Sequence, residues 1–189
     1  MGPSELRELL EAVRSGALSV DEALRRLSEA PAAYLEAGEA KIDLDRKRRR
    51  GLPEVIYCEG KRPGQVREIF ERLASEGESI LGTRATPAHA AAVRSSLPGV
   101  NYDPVGRLLR WEPKRQSTPR LAPEIAVVSA GTADERVVRE IAGTLDAFGH
   151  AAVVVTDVGV AGLQRLFAHL PQIREAAVAI VVAGWDAAL

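Results

Sequence analysis

The sequence predicts an α/β protein: an N-terminal helical hairpin and a small α/β unit, followed by an incomplete doubly wound parallel sheet. Three observations predict it. Apolar runs of strand length alternate with segments of helical period, first over 54–96 and again over 125–184, and strand, helix, strand order implies parallel pairing with a right-handed crossover. The apolar runs of the second block end in small-residue turns, where backbone N–H groups can approach a phosphate or carboxylate. Between the blocks, residues 113–123 (PKRQSTPRLAP) hold three prolines and no apolar period, the mark of a linker. The expected organisation is a helical and α/β region at 1–112, a linker at 113–123, and a second α/β domain at 124–189 that stops at Leu189, where a helix and further strands would be expected.

Composition narrows the class. With 189 residues, 46% hydrophobic and 27% charged, the chain can bury one ordinary core and a smaller one. The net charge of −1 conceals an asymmetry: residues 1–123 carry 21 basic and 18 acidic side chains (+3), whereas 124–189 carry 4 and 8 (−4). Neither half is basic enough to imply nucleic acid. A single cysteine, Cys58, excludes an intramolecular disulfide and a cysteine-cluster metal site, and His89, His150 and His169 lack ligand spacing. No metal site is therefore expected. Neither a signal peptide nor a long apolar run is present, so no membrane partner is expected and the cytoplasm is the default location.

The elements follow in order. Ser4 is placed to cap a helix bearing Leu6, Leu9, Leu10 and Val13, which Gly16 ends, and Ser19 to Glu22 form a capping box before Leu24 and Leu27. The run at 46–50 (Arg-Lys-Arg-Arg-Arg) attracts anions or is simply a solvated face. Residues 54–59 read as a strand and 63–76 as a helix with Val66, Ile69, Phe70 and Leu73 on one face. A second strand at 79–84 and a second helix at 87–96 follow. Lys61 and Arg84 then lie at the carboxyl edge of this unit, where open α/β sheets bind ligands, and become candidate anion contacts. Two exposed charges beside a turn is the plainer reading. Cys58, with no histidine near it in sequence, reads as a small buried apolar residue rather than a nucleophile.

In the second block, the strand at 125–128 leads through Ser129, Ala130, Gly131, Thr132 and Ala133 to Asp134 and a helix with Val138, Ile141, Leu145 and Phe148 inward. Gly131 permits close backbone approach, Ser129 and Thr132 supply hydroxyls, and Asp134 either caps the helix or holds a ligand hydroxyl. The strand at 152–156 delivers Asp157, Gly159, Ala161, Gly162 and Arg165. Neither turn has the spacing of a Walker A or GxGxxG loop.

The segments VVSAGTADE, TDVGVAGLQRLFAHL and AVAIVVAGWDAAL closely resemble the carboxylase/hydrolase family of nickel-pincer cofactor biosynthesis, pyridinium-3,5-biscarboxylic acid mononucleotide synthases of the LarB type. The catalytic domain of that family is similar to the PurE-type fold of the aminoimidazole ribonucleotide carboxylases. ALSVDEALRRL, DLDRKRRRGLPEVIYCEGK, TRAT and NYDPVGRLL extend the resemblance over nearly the whole chain. It implies an enzyme that carboxylates the pyridinium ring of nicotinic acid adenine dinucleotide at C5, with CO2 or bicarbonate as co-substrate, and hydrolyses the phosphoanhydride to release AMP. No resident cofactor is firmly implied; magnesium is the metal ion to consider. The product serves the nickel cofactor of lactate racemization, and a homo-oligomer is expected.

By position the resemblance places Ser129, Gly131 and Thr132 in a first substrate turn and Gly159, Ala161, Gly162 and Arg165 in a second, with Gly184 beside them and Lys61 and Arg84 from the front unit. Asp134, Asp157 and Asp186 become the candidate catalytic carboxylates. Asp186 stands where the family carries glutamate, in Trp185-Asp-Ala-Ala-Leu189 rather than Met-Glu-Gly-Ala-Leu, and Ala133 and Gln164 replace a serine and a histidine. A carboxylate displaced by about an ångström can cost roughly a hundredfold in rate. The family continues through further strands and a cysteine expected to attack the ring, so a nucleotide-binding fragment without turnover is one alternative reading, and a purine-type aminoimidazole ribonucleotide carboxylase is the other.

Overall fold

Two sheets, with one helix touching both, position the candidate residues that are described; the computed structural model describes residues 3–29, 34–37, 40–43, 54–113, 121–184 and 189. Helices α1 (Pro3–Arg14) and α2 (Val20–Glu29) form the expected hairpin, and Gly16 turns the chain at φ +76°. Ser4 lies inside α1 rather than ahead of it. Ser19 caps α2 as expected, its Oγ accepting from the Glu22 amide at 3.1 Å. The Glu22 carboxylate accepts from Arg25 and Arg26, and these guanidinium groups hold its pKa down at about 2. Of the apolar face read for α1, Leu9 is buried while Leu6 and Leu10 stay exposed.

A short antiparallel hairpin, β1 (Tyr34–Ala37) with β2 (Ala40–Asp43), follows. The sequence reading had no strands there. Next, β3 (Val55–Tyr57), α3 (Pro63–Ser75), β4 (Ile80–Thr83) and α4 (Pro87–Arg94) make the expected unit with β3 and β4 parallel. Pro63 occupies the first helical position of α3, where its missing N–H costs nothing. Val66, Ile69, Phe70 and Leu73 are all buried, each contributing about 1.5–3 kcal/mol by leaving water. A second hairpin, β5 (Asn101–Asp103) and β6 (Leu108–Trp111), completes the sheet in the order β3-β4-β6-β5, with β6 antiparallel to β4.

The second sheet is wholly parallel, in the order β8-β7-β9. It comprises β7 (Leu121–Ser129), β8 (His150–Val155) and β9 (Val178–Val182), connected by α5 (Glu135–Ala147) and α6 (Leu163–Glu175). Strand β7 starts at Leu121 and takes in the last three residues of the stretch read as a linker. Residues 114–120 and the basic run at 46–50 lie outside the described residues. As the central strand, β7 buries Ala126, Val127 and Val128 completely or nearly so, which accounts for its unbroken apolar run. Among the described residues no helix is long and apolar enough to cross a membrane.

Helix α5 joins the two sheets. Arg84 Nε lies 2.8 Å from Glu140 Oε1, Asp103 accepts from Arg139 at 2.9 Å, and Arg110 pairs with Asp146. Leu108 packs against Gly143 so closely that a side chain there would collide with it. Passing from Arg139 to Asp146 along α5 therefore matches passing from Leu108 to Arg110 along β6. Because β6 is antiparallel to β4, the carboxyl end of β4 lies toward the N-terminal half of α5. That half emerges from the carboxyl end of β7, so the ligand-binding edges of both sheets open at one end of the molecule.

Candidate active site at the carboxyl edges

In the second sheet, β7 is central and the chain goes first to β8 and then back across to β9, so loops diverge at the carboxyl end of β7. Such a divergence is where open α/β sheets form a crevice. Ala130 N donates to Val182 O at 3.2 Å, and Val158 N and Gly159 N donate to Ser129 O and Ala130 O, both at 3.1 Å. These bonds clasp the loop after β8 onto the loop after β7. Gly159 makes the clasp possible, since a Cβ there would stand 2.9 Å from Ala130 O. Thr132 to Asp134 form one turn of 3₁₀ helix leading into α5.

The carboxylates at this edge among the described residues have defined partners. Asp134 Oδ2 accepts from Gly131 N at 3.3 Å, so it closes its own turn and does not cap α5. Asp157 adopts φ +58°, a left-handed conformation in which aspartate is less disfavoured than most residues, and its carboxylate pairs with Arg165. Val160 to Gly162 form a second 3₁₀ turn, with Gly162 N donating to Gly159 O at 2.9 Å. Ser129 is fully buried, and its hydroxyl has no hydrogen-bond partner among the described residues. Leaving such a group unpaired costs about 1–3 kcal/mol.

The structure thus brings together Ser129, Gly131, Asp134, Asp157, Gly159, Gly162 and Arg165, with Thr132 and Ala161 in the same two turns. Gly184 follows β9 two residues after Val182, with open space around it. Asp186 lies outside the described residues. Lys61 and Arg84 belong to the edge of the other sheet. Lys61 Nζ donates to Tyr57 O at 2.7 Å, and Arg84, at φ +56°, pairs with Glu140, whose carboxylate raises the guanidinium pKa further.

That front edge contains residues the sequence reading missed. The Tyr57 hydroxyl donates to Glu59 at 2.5 Å; this bond raises the phenol pKa and lowers that of the carboxyl. Arg107, at φ +55°, donates from Nε to Ala85 O at 3.1 Å and from Nη2 to Arg84 O at 2.9 Å, and its Nη1 lies 3.5 Å from Glu59. The available signal was strand alternation, which turns Tyr57 outward between buried Ile56 and Cys58. The Cys58 thiol is buried in the front core, and burial pushes its pKa up to about 11, in keeping with its reading as a core residue. Among the described residues no group of three or more His, Cys, Asp or Glu gathers as a metal site.

Comparison with known proteins adds two findings. The family described as the LarB/PurE-like N-terminal domain matches residues 34–114, the stretch from β1 through β6. An uncharacterized protein of Methanocaldococcus jannaschii is 31% identical over 193 residues, a match that covers 97% of this chain and 74% of that protein.

Proposed function

Since the chain belongs to the LarB/PurE-like family of carboxylase-type enzymes, we propose that it acts in nickel-pincer cofactor biosynthesis. In this reading it binds nicotinic acid adenine dinucleotide, carboxylates the pyridinium ring at C5 and hydrolyses the phosphoanhydride to release AMP. The observation that carries the reading is the buried Ser129 hydroxyl, without a hydrogen-bond partner among the described residues, at the point where the β7 and β8 loops are clasped. A ligand oxygen or nitrogen at that point would supply the missing partner.

The chemistry explains why carboxylates belong at this edge. An electron-poor pyridinium cannot attack CO2 directly. A nucleophile must first add to the ring; the ring carbon then bonds to CO2, its proton leaves to a base, and expulsion of the nucleophile restores the aromatic cation. Asp134 and Asp157 are the proposed proton carriers, with Asp186 as a third carboxylate. Asp157 is oriented by Arg165 and Asp134 by the Gly131 amide. Thr132, Gly159, Ala161, Gly162 and Gly184 line the ring and ribose phosphate, and Arg165 exchanges part of its pairing with Asp157 for the ligand's anionic group. Lys61 and Arg84 contribute from the front edge. The Cys58 thiol, buried in the other core, does not serve as nucleophile; the resemblance assigns that role to a cysteine in the family's further strands, which adds to the ring and is expelled at the end.

The reading includes assembly into a cytoplasmic homo-oligomer, supported by the exposed apolar side chains Leu163, Phe167, Val178 and Val181 on α6 and β9. Calorimetry with the dinucleotide, followed by labelled-bicarbonate incorporation and chromatographic detection of AMP, tests the activity. Saturable binding weakened roughly tenfold or more by Arg165→Ala is expected, since charge-assisted hydrogen bonds are the strong ones. Absence of dinucleotide binding overturns the reading, and a preference for an aminoimidazole ribonucleotide redirects it to the purine carboxylases.

A further inference from the structure

The carboxyl edge of β3 and β4 gathers more chemistry than a turn requires. Tyr57 is 52% exposed and the Glu59 side chain 48% exposed. Lys61 Nζ uses one of its three donors on Tyr57 O. Arg84 meets Glu140 through Nε, while its two Nη groups have no partner among the described residues. Arg107 is bound to the Ala85 and Arg84 carbonyls and faces Glu59, so it holds the loop in shape rather than offering donors to a ligand.

We propose that this edge is a second subsite, which binds a nucleoside 5′-monophosphate. The parts correspond to those of such a ligand. An outward aromatic ring gives a stacking face for a base, which is worth roughly five- to a hundredfold in affinity. A carboxylate at the end of a parallel strand accepts from ribose hydroxyls. An ammonium and a guanidinium fork bind a phosphate. Glu59 selects among anions, because a bare phosphate would have to bring its own charge up to the carboxylate, whereas a nucleotide can set neutral ribose hydroxyls against it and hold its phosphate toward Lys61 and Arg84.

The placement of this edge connects it to the other one. Both carboxyl edges open at the end of the molecule where α5 begins, and the pairs Arg84–Glu140 and Asp103–Arg139 fix the front sheet against that helix. One two-headed ligand can therefore present its pyridinium half to the β7 edge and its adenylate half to the β3/β4 edge. The subsite rests on the dinucleotide reading only in the claim that both halves belong to one molecule.

The test titrates the full chain with AMP, adenosine and inorganic phosphate by calorimetry, and the Tyr57→Ala, Lys61→Gln double variant with nicotinic acid mononucleotide as a reporter of the other edge. AMP is expected to bind more tightly than adenosine or phosphate. Lys61→Gln should weaken AMP roughly tenfold or more while adenosine is unmoved, and Tyr57→Ala should weaken AMP and adenosine alike. Arg84→Ala also loosens the contact with α5, so Tyr57 and Lys61 carry the test, with thermal melting as a check on folding. AMP binding no tighter than phosphate, or indifferent to both Lys61→Gln and Tyr57→Ala, overturns the subsite. If nicotinic acid mononucleotide binds and AMP does not, the subsite falls and the carboxylase reading stands. If AMP binds at Tyr57 and Lys61 while the double variant binds neither the mononucleotide nor the dinucleotide, the carboxylase reading falls and the subsite stands.

Discussion

Gly159 and Cys58 show how little freedom single positions have around the two edges. A methyl group at Gly159 would press on the Ala130 carbonyl oxygen at 2.9 Å, and that oxygen is itself the acceptor of the Gly159 amide. Neither backbone can yield without opening the clasp between the loops. Gly159→Ala should therefore lower stability by about 1–3 kcal/mol, as overpacking does, and also weaken ligand binding at the β7 edge. Gly131→Ala is the control, since a Cβ there meets open space and should change stability by less than about 0.5 kcal/mol. Urea midpoints of the two variants check the contrast; equal midpoints would remove the steric argument. Cys58 packs where Gly82 and the Phe70 ring leave no slack. With its thiol held near pKa 11 by burial, its reaction with a thiol reagent at neutral pH should follow the unfolding rate. Rapid labelling of the native protein would show the front core to be open.

Among the elements, α5 carries the most consequential contacts, because its residues 139, 140, 143 and 146 lie on the face turned to the front sheet. Asp103 anchors that contact twice: Oδ1 accepts from the Val105 and Gly106 amides at 2.9 and 3.1 Å, and Oδ2 accepts from Arg139. Burial alone would raise its pKa, but the Gly106 and Val105 amides and Arg139 together bring it below the usual 3.8. A depressed carboxyl contributes stability above its unfolded pKa and loses it as pH falls through the folded one. Asp103→Asn should then cost about 0.5–1 kcal/mol at neutral pH, with the gap closing as pH falls through the lowered pKa of Asp103. A gap constant from neutral pH into acid would refute the charge argument. The parallel units were legible because Val66, Ile69, Phe70 and Leu73 keep helical spacing between two apolar runs. The β1/β2 and β5/β6 hairpins were not, since strands of three or four residues are too short to establish a period. The run Asp103-Pro104-Val105-Gly106 gave a local turn signal. The SAGTAD and DVGVAG turns were legible as loops at strand ends. Pairings such as Asp157 with Arg165 and Arg84 with Glu140 depend on side-chain directions that spacing does not convey.

Across the whole molecule, the apolar surface is distributed unevenly, and this bears on assembly. The front core encloses its large side chains, with Phe70 and Leu109 fully buried. The second sheet is different: β9, at the sheet edge among the described residues, exposes Val178 and Val181 by about half, and Phe167 on α6 is 60% exposed with Leu163 one turn away. An exposed edge strand invites pairing, and large apolar side chains left exposed on both α6 and β9 provide surface that an interface would cover. Closed symmetric assembly buries such a surface in every copy at once. Sedimentation velocity should therefore find an oligomer that persists on dilution. Phe167→Asp, which places a charge at the centre of the exposed α6 surface while leaving both sheets intact, should shift the population toward monomer by tenfold or more in dissociation constant, the cost of burying an unpaired charge. A dilution-resistant monomer in the unaltered chain would instead assign these side chains to solvent and leave the α6 and β9 surface without a role in assembly.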